Sequence, residues 1–471
     1  MKTYIKSMML LVVLSFASCK DQLDINTSPN NPSQSTPQLT LPAGQVALAL
    51  NLEADYNLLG SFWVQYWTQG PTASQYSFLE TYNITTSNYT RTWSSMYATC
   101  LEDLEFVRKE SIEKGLPNYE AIAEILQVYS FQVLVDLYDK VPYFEALKGK
   151  EGSLTPKFDD GEVIYDDLIV RLDAALARMD YNATAVAPTS DDLIYSGDMR
   201  QWQKFANTLK FRIYMRQSEA RPAVAEAGIK GMVAAGDEFL SAGDDAIINF
   251  SNNTANENPF WQNLNLTTFQ NIVASETSID VLQDVNDTRL DQYYDAASNS
   301  DFFVGLKQGT GTNSGDQYGD FATPHAGNVL SPTKPAILMS AIESLFDQAE
   351  AIERGWITGS AKSFYDQAVL ASFEAVGKNG AAFIGAGGPY EYDNTLESIY
   401  HQRWLAFNTT QGFEAWSHYR RTNYPVLENS VTGTLPIGEF PARLVWPSNE
   451  TASNPNSPTT LKTSVPVWWD K

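Results

Sequence analysis

Carboxylate pairs are the first chemistry this sequence offers: Asp159-Asp160, Asp166-Asp167, Asp191-Asp192 and Asp244-Asp245 stand as acidic doublets. Two carboxylates about 5 to 9.5 Å apart are what a glycoside hydrolase uses to protonate a leaving oxygen and supply a nucleophile or base. In a chain with 56 Asp and Glu residues, chance adjacency and helix N-caps account for the doublets more simply. The three histidines, His325, His401 and His418, form no His-Glu-x-x-His pattern, so a zinc hydrolase has no ligand set. Cys100 falls on an apolar helical stripe, where a buried thiol is expected rather than a nucleophile. No Gly-x-Ser-x-Gly elbow is present, and Gly309-Thr310-Gly311 lacks the flanking strand and helix of a dinucleotide loop. Asn- and Asp-rich loops offer oxygens of the kind calcium takes, but Asp284-Asn286-Asp287 lacks the glycine of an EF-hand loop. The expectation is a chain with no catalytic set and no cofactor, with calcium on the Asn- and Asp-rich loops as the alternative.

Binding is better served. Sugars need flat aromatic faces for their C–H surfaces, with amides and carboxylates for their hydroxyls. Two loop regions supply both. Gln65 to Tyr82 contains Trp67, Gln75, Tyr76 and Tyr82; Phe260 to Tyr318 contains Trp261, Asn263, Asp316 and Tyr318. These eight are the candidate ligand residues, each weighed against ordinary loop packing of aromatics. The arginines Arg403, Arg420, Arg421 and Arg443 suggest an anion site. Pairing with Glu414, Glu397 or helix C-terminal carbonyls is the simpler account, which makes them scaffold.

The elements that position these residues are mainly helical. Tyr89, Trp93, Met96, Cys100, Leu104 and Val107 recur at i, i+3, i+4, i+7 spacing, as do Ile122, Ile125, Leu126, Tyr129, Val133 and Leu137. Further helical patterns run over Val163–Met179, Met199–Ser218, Pro335–Arg354, Ala361–Val376 and Leu396–Tyr419, several as pairs across short turns such as Gly355–Gly359 and Thr409–Gly412. Stacked helix pairs without a strict 34-residue repeat predict an irregular tetratricopeptide-like scaffold. Residues 236–335 differ: they are rich in Asn, Ser, Thr, Gly and Asp with interspersed aromatics, and read as a loop-rich insertion. Within it, Ala246–Phe250 and Phe302–Val304 are expected as short strands.

The ends and the charge set the surroundings. Lys2 and Lys6 precede the apolar run Met8–Leu14, and Ala17-Ser18 stands directly before Cys19, the pattern of a bacterial lipoprotein signal. Residues 1–18 are read as the signal, Cys19 as the lipidated residue, 19–42 as a flexible tether and 43–471 as the body. No stretch of about 20 apolar residues follows that run. With 32 Lys and Arg against 56 Asp and Glu, the chain carries −24 at pH 7, which makes nucleic acid an improbable partner. Acyl chains, at about 0.8 kcal/mol per buried CH₂, hold even an acidic body at a membrane. Lys20-Asp21 partly resembles a surface-export signal, so the expected location is the outer membrane, lipid-anchored and facing outward.

At this point the motifs resemble a family. Asp136-Leu137-Tyr138-Asp139-Lys140-Val141-Pro142-Tyr143-Phe144-Glu145-Ala146-Leu147 is similar to the D-x-Y-G-D-V-P-Y-x-E-A-L element of the SusD/RagB group of outer-membrane nutrient-binding lipoproteins, with Asp139 where glycine is common. Gly197-Asp198 through Trp202-Gln203-Lys204-Phe205-Ala206-Asn207 resembles a second element of the group, and Ala349-Glu350-Ala351 with Arg354-Gly355-Trp356 a third. Arg403-Trp404, Glu414-Ala415-Trp416, Tyr419-Arg420-Arg421, Pro441-Ala442-Arg443 and Trp468-Trp469-Asp470 follow in the group's order. The resemblance spans essentially the whole body. It implies a tetratricopeptide-like scaffold with a variable loop-rich part. It also implies capture of an oligosaccharide above a SusC-like TonB-dependent transporter, without chemistry. The ligand patch would lie on an early segment after the first helix and on a later insertion, where the two loop regions fall. A peptide cargo, a purely structural lid on the transporter and a helical glycoside hydrolase are the alternatives.

Overall fold

The elements begin and end where local chemistry dictates. In a computed structural model describing residues 35–182, 185–266, 271–311, 315–408 and 410–470, helix α1 covers Pro37–Asn51. Thr36 caps it, its Oγ1 accepting from the Leu39 N–H at 3.4 Å, and Pro37 occupies the first turn, where a missing N–H costs nothing. The expected tether therefore ends earlier than residue 42: Pro37 to Pro42 are already helical and pack on the body. The signal run, Cys19 and the rest of that tether lie outside the described residues.

Helix α2 (Asn57–Trp63) continues from α1 through a π-helical turn. Helices α3 (Glu102–Lys114) and α4 (Pro117–Tyr138) form the first long pair. The turn between them uses Gly115 at φ +64°, a left-handed cap that a Cβ would strain, followed by Pro117 opening α4. Helix α4 is buried on every side because it is the centre of the fold: α3 packs on one flank and α5 (Gly161–Arg178) on another. By length and hydropathy α4 could cross a membrane, but its whole apolar window is buried inside the protein.

Helix α6 (Met199–Arg216) starts on Asp198, whose Oδ1 accepts from the Arg200 and Gln201 N–H groups, and packs on α5 and on α7 (Pro222–Ala235). Helices α8 (Ala341–Glu353) and α9 (Ala361–Glu374) form the tightest pair, capped by Ser340 and Ser360. Helices α10 (Leu396–Phe407) and α11 (Gly412–Thr422) close the scaffold, α11 packing back on α2. Antiparallel neighbours across short turns make this a mainly α, tetratricopeptide-like architecture, as the periodicity predicted.

Two expectations need correction, one of helix and one of strand. The helical pattern from Pro335 to Arg354 opens as strand rather than helix: Ala336–Met339 pairs antiparallel with Ala246–Ile248, and the helix starts only after the Ser340 cap. An apolar run of four residues is ambiguous between the two until a partner strand is found. Phe302–Val304 is not a strand; Phe302 is 71% exposed, and only Leu306 makes a bridge, to Ser275. The described strands form four two-stranded antiparallel pairs: Trp67–Gln69 with Ile272–Ala274, Val141–Pro142 with Phe158–Asp159, Ala246–Ile248 with Ala336–Met339, and Tyr294–Asp295 with Thr323–Pro324.

A charged layer is buried between the helices. Arg212 grips Glu343 with Nε and Nη2, both at 2.6 Å, and Arg216 pairs with Glu414 and, at 3.1 Å, with Asp136. Arg403 pairs with Asp347, and Arg421 grips both oxygens of Glu350 at 2.5 and 2.6 Å. Arg420 donates to the Asp136 and Ala442 carbonyls and lies over the Trp416 ring at 3.5 Å, while Arg443 donates to the Tyr138 carbonyl at the end of α4. The four arginines are thus scaffold: Arg420 and Arg443 hold carbonyls at the C-terminal end of α4, as expected, whereas the carboxylate partners differ from those expected. Glu414 belongs to Arg216 and Arg212, and Glu397 lies on the surface.

Burial alone would raise the Glu350 carboxyl, yet the Arg421 grip and Arg354 hold it well below the ordinary carboxylate range. A depressed native pKa contributes stability that is complete above the unfolded value near 4.5 and lost as pH falls toward the native one. Wild type and Glu350→Gln should therefore differ most above pH 5 and converge toward pH 2 in urea titrations; a constant gap across that range would refute this account.

Candidate functional site

The two loop regions flagged in the sequence meet at one short ribbon. Trp67–Gln69, just after α2, pairs in register with Ile272–Ala274 from the insertion: Trp67 opposite Ala274, Thr68 opposite Val273, Gln69 opposite Ile272. At its end Gly70 N–H donates to the Asn271 carbonyl at 2.8 Å, and Gln69 Nε2 donates to the same oxygen at 2.9 Å. Gln69 Oε1 accepts from the Tyr76 N–H at 2.7 Å, which folds the 70–76 loop back over the ribbon. Asn271 Nδ2 then donates to Gln75 Oε1 at 2.7 Å, so an exposed Gln75 is held across 196 residues of sequence.

The second aromatic wall comes from the helix Pro259–Leu266. Asn258 caps it, Oδ1 accepting from the Phe260 and Trp261 N–H groups at 2.9 and 3.1 Å. Phe260 stacks on Trp67 at 5.1 Å with 6° between the planes, which carries the helix onto the ribbon and leaves Trp261 half-buried beside it. Asn263, two residues further along the helix, is also half-buried. Tyr318 packs with Leu306 and Phe321 against Val273, the central residue of the insertion strand, and Asp316 precedes it at a half-buried position.

The eight candidates thus divide. Gln75, Trp261, Asn263, Asp316 and Tyr318 keep exposed surface in this region. Trp67 is fully buried under Phe260, Tyr76 is 7% and Tyr82 3% exposed, so these three build the shelf from beneath and present no free ring face in this conformation. Burial raises the Tyr76 and Tyr82 phenols to about 12, which leaves them neutral hydrogen-bonding groups. Asn271 was not recognised from sequence; a lone Asn in an Asn-rich loop carries no signal until its partner strand is known.

The segment is also strained. Gln65 at φ +61°, Thr72 at +66° and Tyr82 at +58° are non-glycine residues in the left-handed region, and Thr72 is β-branched. Such conformations persist only where surrounding contacts enforce them, and they cluster at ligand clamps. Here Thr277 Oγ1 donates to Gln65 Oε1 at 2.7 Å, and Tyr82 OH accepts from the Ser430 N–H at 3.2 Å.

Elsewhere the chemistry is closed. Cavities of about 290 and 270 Å³ flank the Ala146–Leu147 loop, away from the ribbon. In the second, Arg108 and Arg171 are paired with Glu105 and Glu124. Cys100 is buried against Ser130, and burial raises its thiol to about 12, so it is no nucleophile. Among the described residues no group of three or more His, Cys, Asp or Glu could hold a metal ion.

A stack of antiparallel helix pairs, with a buried ribbon that joins an early segment to the loop-rich insertion, defines a helical-repeat scaffold protein. Residues 29–447 match the SusD-like family model described as "Starch-binding associating with outer membrane", and the chain belongs to that family. No curated protein matches it in sequence. Among solved structures it is similar to a chitin-binding protein, at 25% identity over 92% of this chain and 100% of the other, with a TM-score of 0.78. A SusD homologue from Bacteroides uniformis is 23% identical over 92% and 99%, with a TM-score of 0.77. A chitin-binding SusD homologue from Flavobacterium johnsoniae is 22% identical over 92% and 98%, with a TM-score of 0.78.

Proposed function

We propose that this protein is a lipid-anchored binder of the outer membrane, attached through Cys19 and facing outward. It captures an oligosaccharide on the 69–76 shelf and hands it to a SusC-like TonB-dependent transporter. The family's description and the chitin-binding structure at 25% identity support a glycan as cargo. The observation that carries the reading is the Gln75–Asn271 hydrogen bond, which holds an exposed amide where two distant loops converge and Phe260 stacks on Trp67. Gln75, Trp261, Asn263, Asp316 and Tyr318 are the contacts; no bond in the ligand is broken, and no cofactor takes part.

The test is calorimetric titration of the body, residues 21 onward, with chitohexaose and maltoheptaose, together with assay of reducing ends. Binding without product is expected. Trp261→Ala should weaken it by about 2 kcal/mol, roughly 30-fold, as loss of an aromatic anchor does, and Gln75→Ala by roughly tenfold. New reducing ends would overturn the reading in favour of a hydrolase. Silence with both sugars would move the assignment to a peptide cargo or a structural lid.

A further inference from the structure

The shelf has two supports, the 67–76 segment and the turn at 307–311, which come from distant parts of the chain. Between them lies a carboxylate with no cation. Glu80, at the end of the short helix Ser77–Glu80, is 4% exposed, and among the described residues it makes no ion pair. Its Oε1 accepts from Thr68 Oγ1 at 2.6 Å and from the Gly309 N–H; its Oε2 accepts from the Gln69 N–H at 3.1 Å and from Gln308 Nε2 at 3.3 Å. All four contacts are donors and both oxygens act as acceptors, an arrangement that suits an ionised carboxylate. Two donors come from the ribbon strand and two from the turn.

We propose that Glu80 is the positioning residue of the shelf, a buried carboxylate that locks the ribbon strand to the 307–311 turn. This inference deepens the glycan-binding reading and rests on it for its functional meaning. The turn it holds has little freedom of its own. Gly309 sits at φ +87°, and a Cβ there would meet Ser430 Oγ at 2.3 Å; a Cβ on Gly311 would lie 2.6 Å from the Gln69 carbonyl oxygen. The strained residues Gln65, Thr72 and Tyr82 bracket the same carboxylate in sequence. An unpaired buried carboxylate is costly to keep, and a structural role alone would be met as well by a neutral side chain. It earns a specific explanation because its four donors all belong to the walls of one surface.

Burial raises the Glu80 carboxyl above the ordinary range against the opposing hydrogen bonds from Thr68, Gln69 and Gly309. The titratable group that senses it is Tyr82, which stays neutral.

Glu80→Gln tests this at constant volume, because its amide keeps one acceptor oxygen and points an NH₂ at the remaining donors. Hydrogen exchange of segments 67–76 and 307–311 should accelerate at least tenfold in both together, with α4 unchanged as the internal reference. Oligosaccharide affinity, read with chitohexaose, should fall at least tenfold. Thr68→Val, which removes one donor and leaves the carboxylate, should loosen both segments by a smaller factor and serves if Glu80→Gln does not fold. Unchanged exchange, or loosening of one segment alone, overturns the proposal. The exchange measurement needs no ligand, so a wild-type protein that binds no sugar sinks the glycan reading while exchange still judges Glu80.

Discussion

Replacing Glu343 with alanine is expected to lower the unfolding free energy by about 3–5 kcal/mol, the loss typical when one partner of a buried ion pair is removed. Glu343 is fully buried and accepts two hydrogen bonds from Arg212, each at 2.6 Å, while Arg403 lies 3.5 Å away. Without it, Arg212 retains the 3.4 Å contact with Glu414, a long hydrogen bond to the Leu338 carbonyl at 3.5 Å and its place over the Tyr129 ring at 5.1 Å. None of these offsets the desolvation of a guanidinium. The double variant Glu343→Ala/Arg212→Met should recover much of the loss, because it removes the stranded charge together with its partner. Urea denaturation of the single and double variants decides: a loss below 1 kcal/mol for Glu343→Ala would mean that the layer is hydrated and contributes little.

Gly60→Ala is the second large effect, about 3 kcal/mol of destabilisation from overpacking. Helices α2 and α11 cross so closely that a Cβ on Gly60 would lie 2.0 Å from the Gly412 carbonyl oxygen, and a Cβ on Gly412 would lie 2.3 Å from that of Asn57. Both obstacles are backbone, so one helix must move. An alanine in place of a helical glycine ordinarily stabilises by about 0.4–1 kcal/mol through the unfolded chain, which the clash exceeds. Movement would also spoil the edge-on contact of Trp63 with Trp416, whose ring centroids are 4.8 Å apart. Because α2 runs directly into the ribbon at Trp67, the displaced helix should weaken sugar binding as well as stability. Thermal unfolding and calorimetry on the same variant measure both; an unchanged midpoint would show that the crossing has slack.

The helices were readable because their signals are local. Apolar spacing over Ile122–Leu137, the Gly115-Leu116-Pro117 break and the Asp198 cap each act within one or two turns of chain, and the scaffold follows from them. The non-catalytic reading of Cys100 was legible for the same reason, since the stripe it occupies is the stripe that packs. Arg420 and Arg421 were correctly read as scaffold because arginine in a helix of aromatics has few uses other than fixed pairing.

What the sequence left open was every choice of distant partner. Ala336–Met339 became strand because Ala246–Ile248 was there to pair with it, and Arg421 chose Glu350 across 71 residues. The site shows the same limit. Trp67 and Trp261 are both tryptophans in loop-rich surroundings, yet Phe260 covers the first and leaves the second partly open. An aromatic ring satisfies a core and a binding surface equally well by composition, so only the packed neighbours decide which it serves. Glu80 likewise reads as one more acidic residue until Thr68, Gln69, Gln308 and Gly309 close around it. Residue type and local period determine the helices; burial, being a property of the assembled fold, determines which side chains are left to meet a ligand.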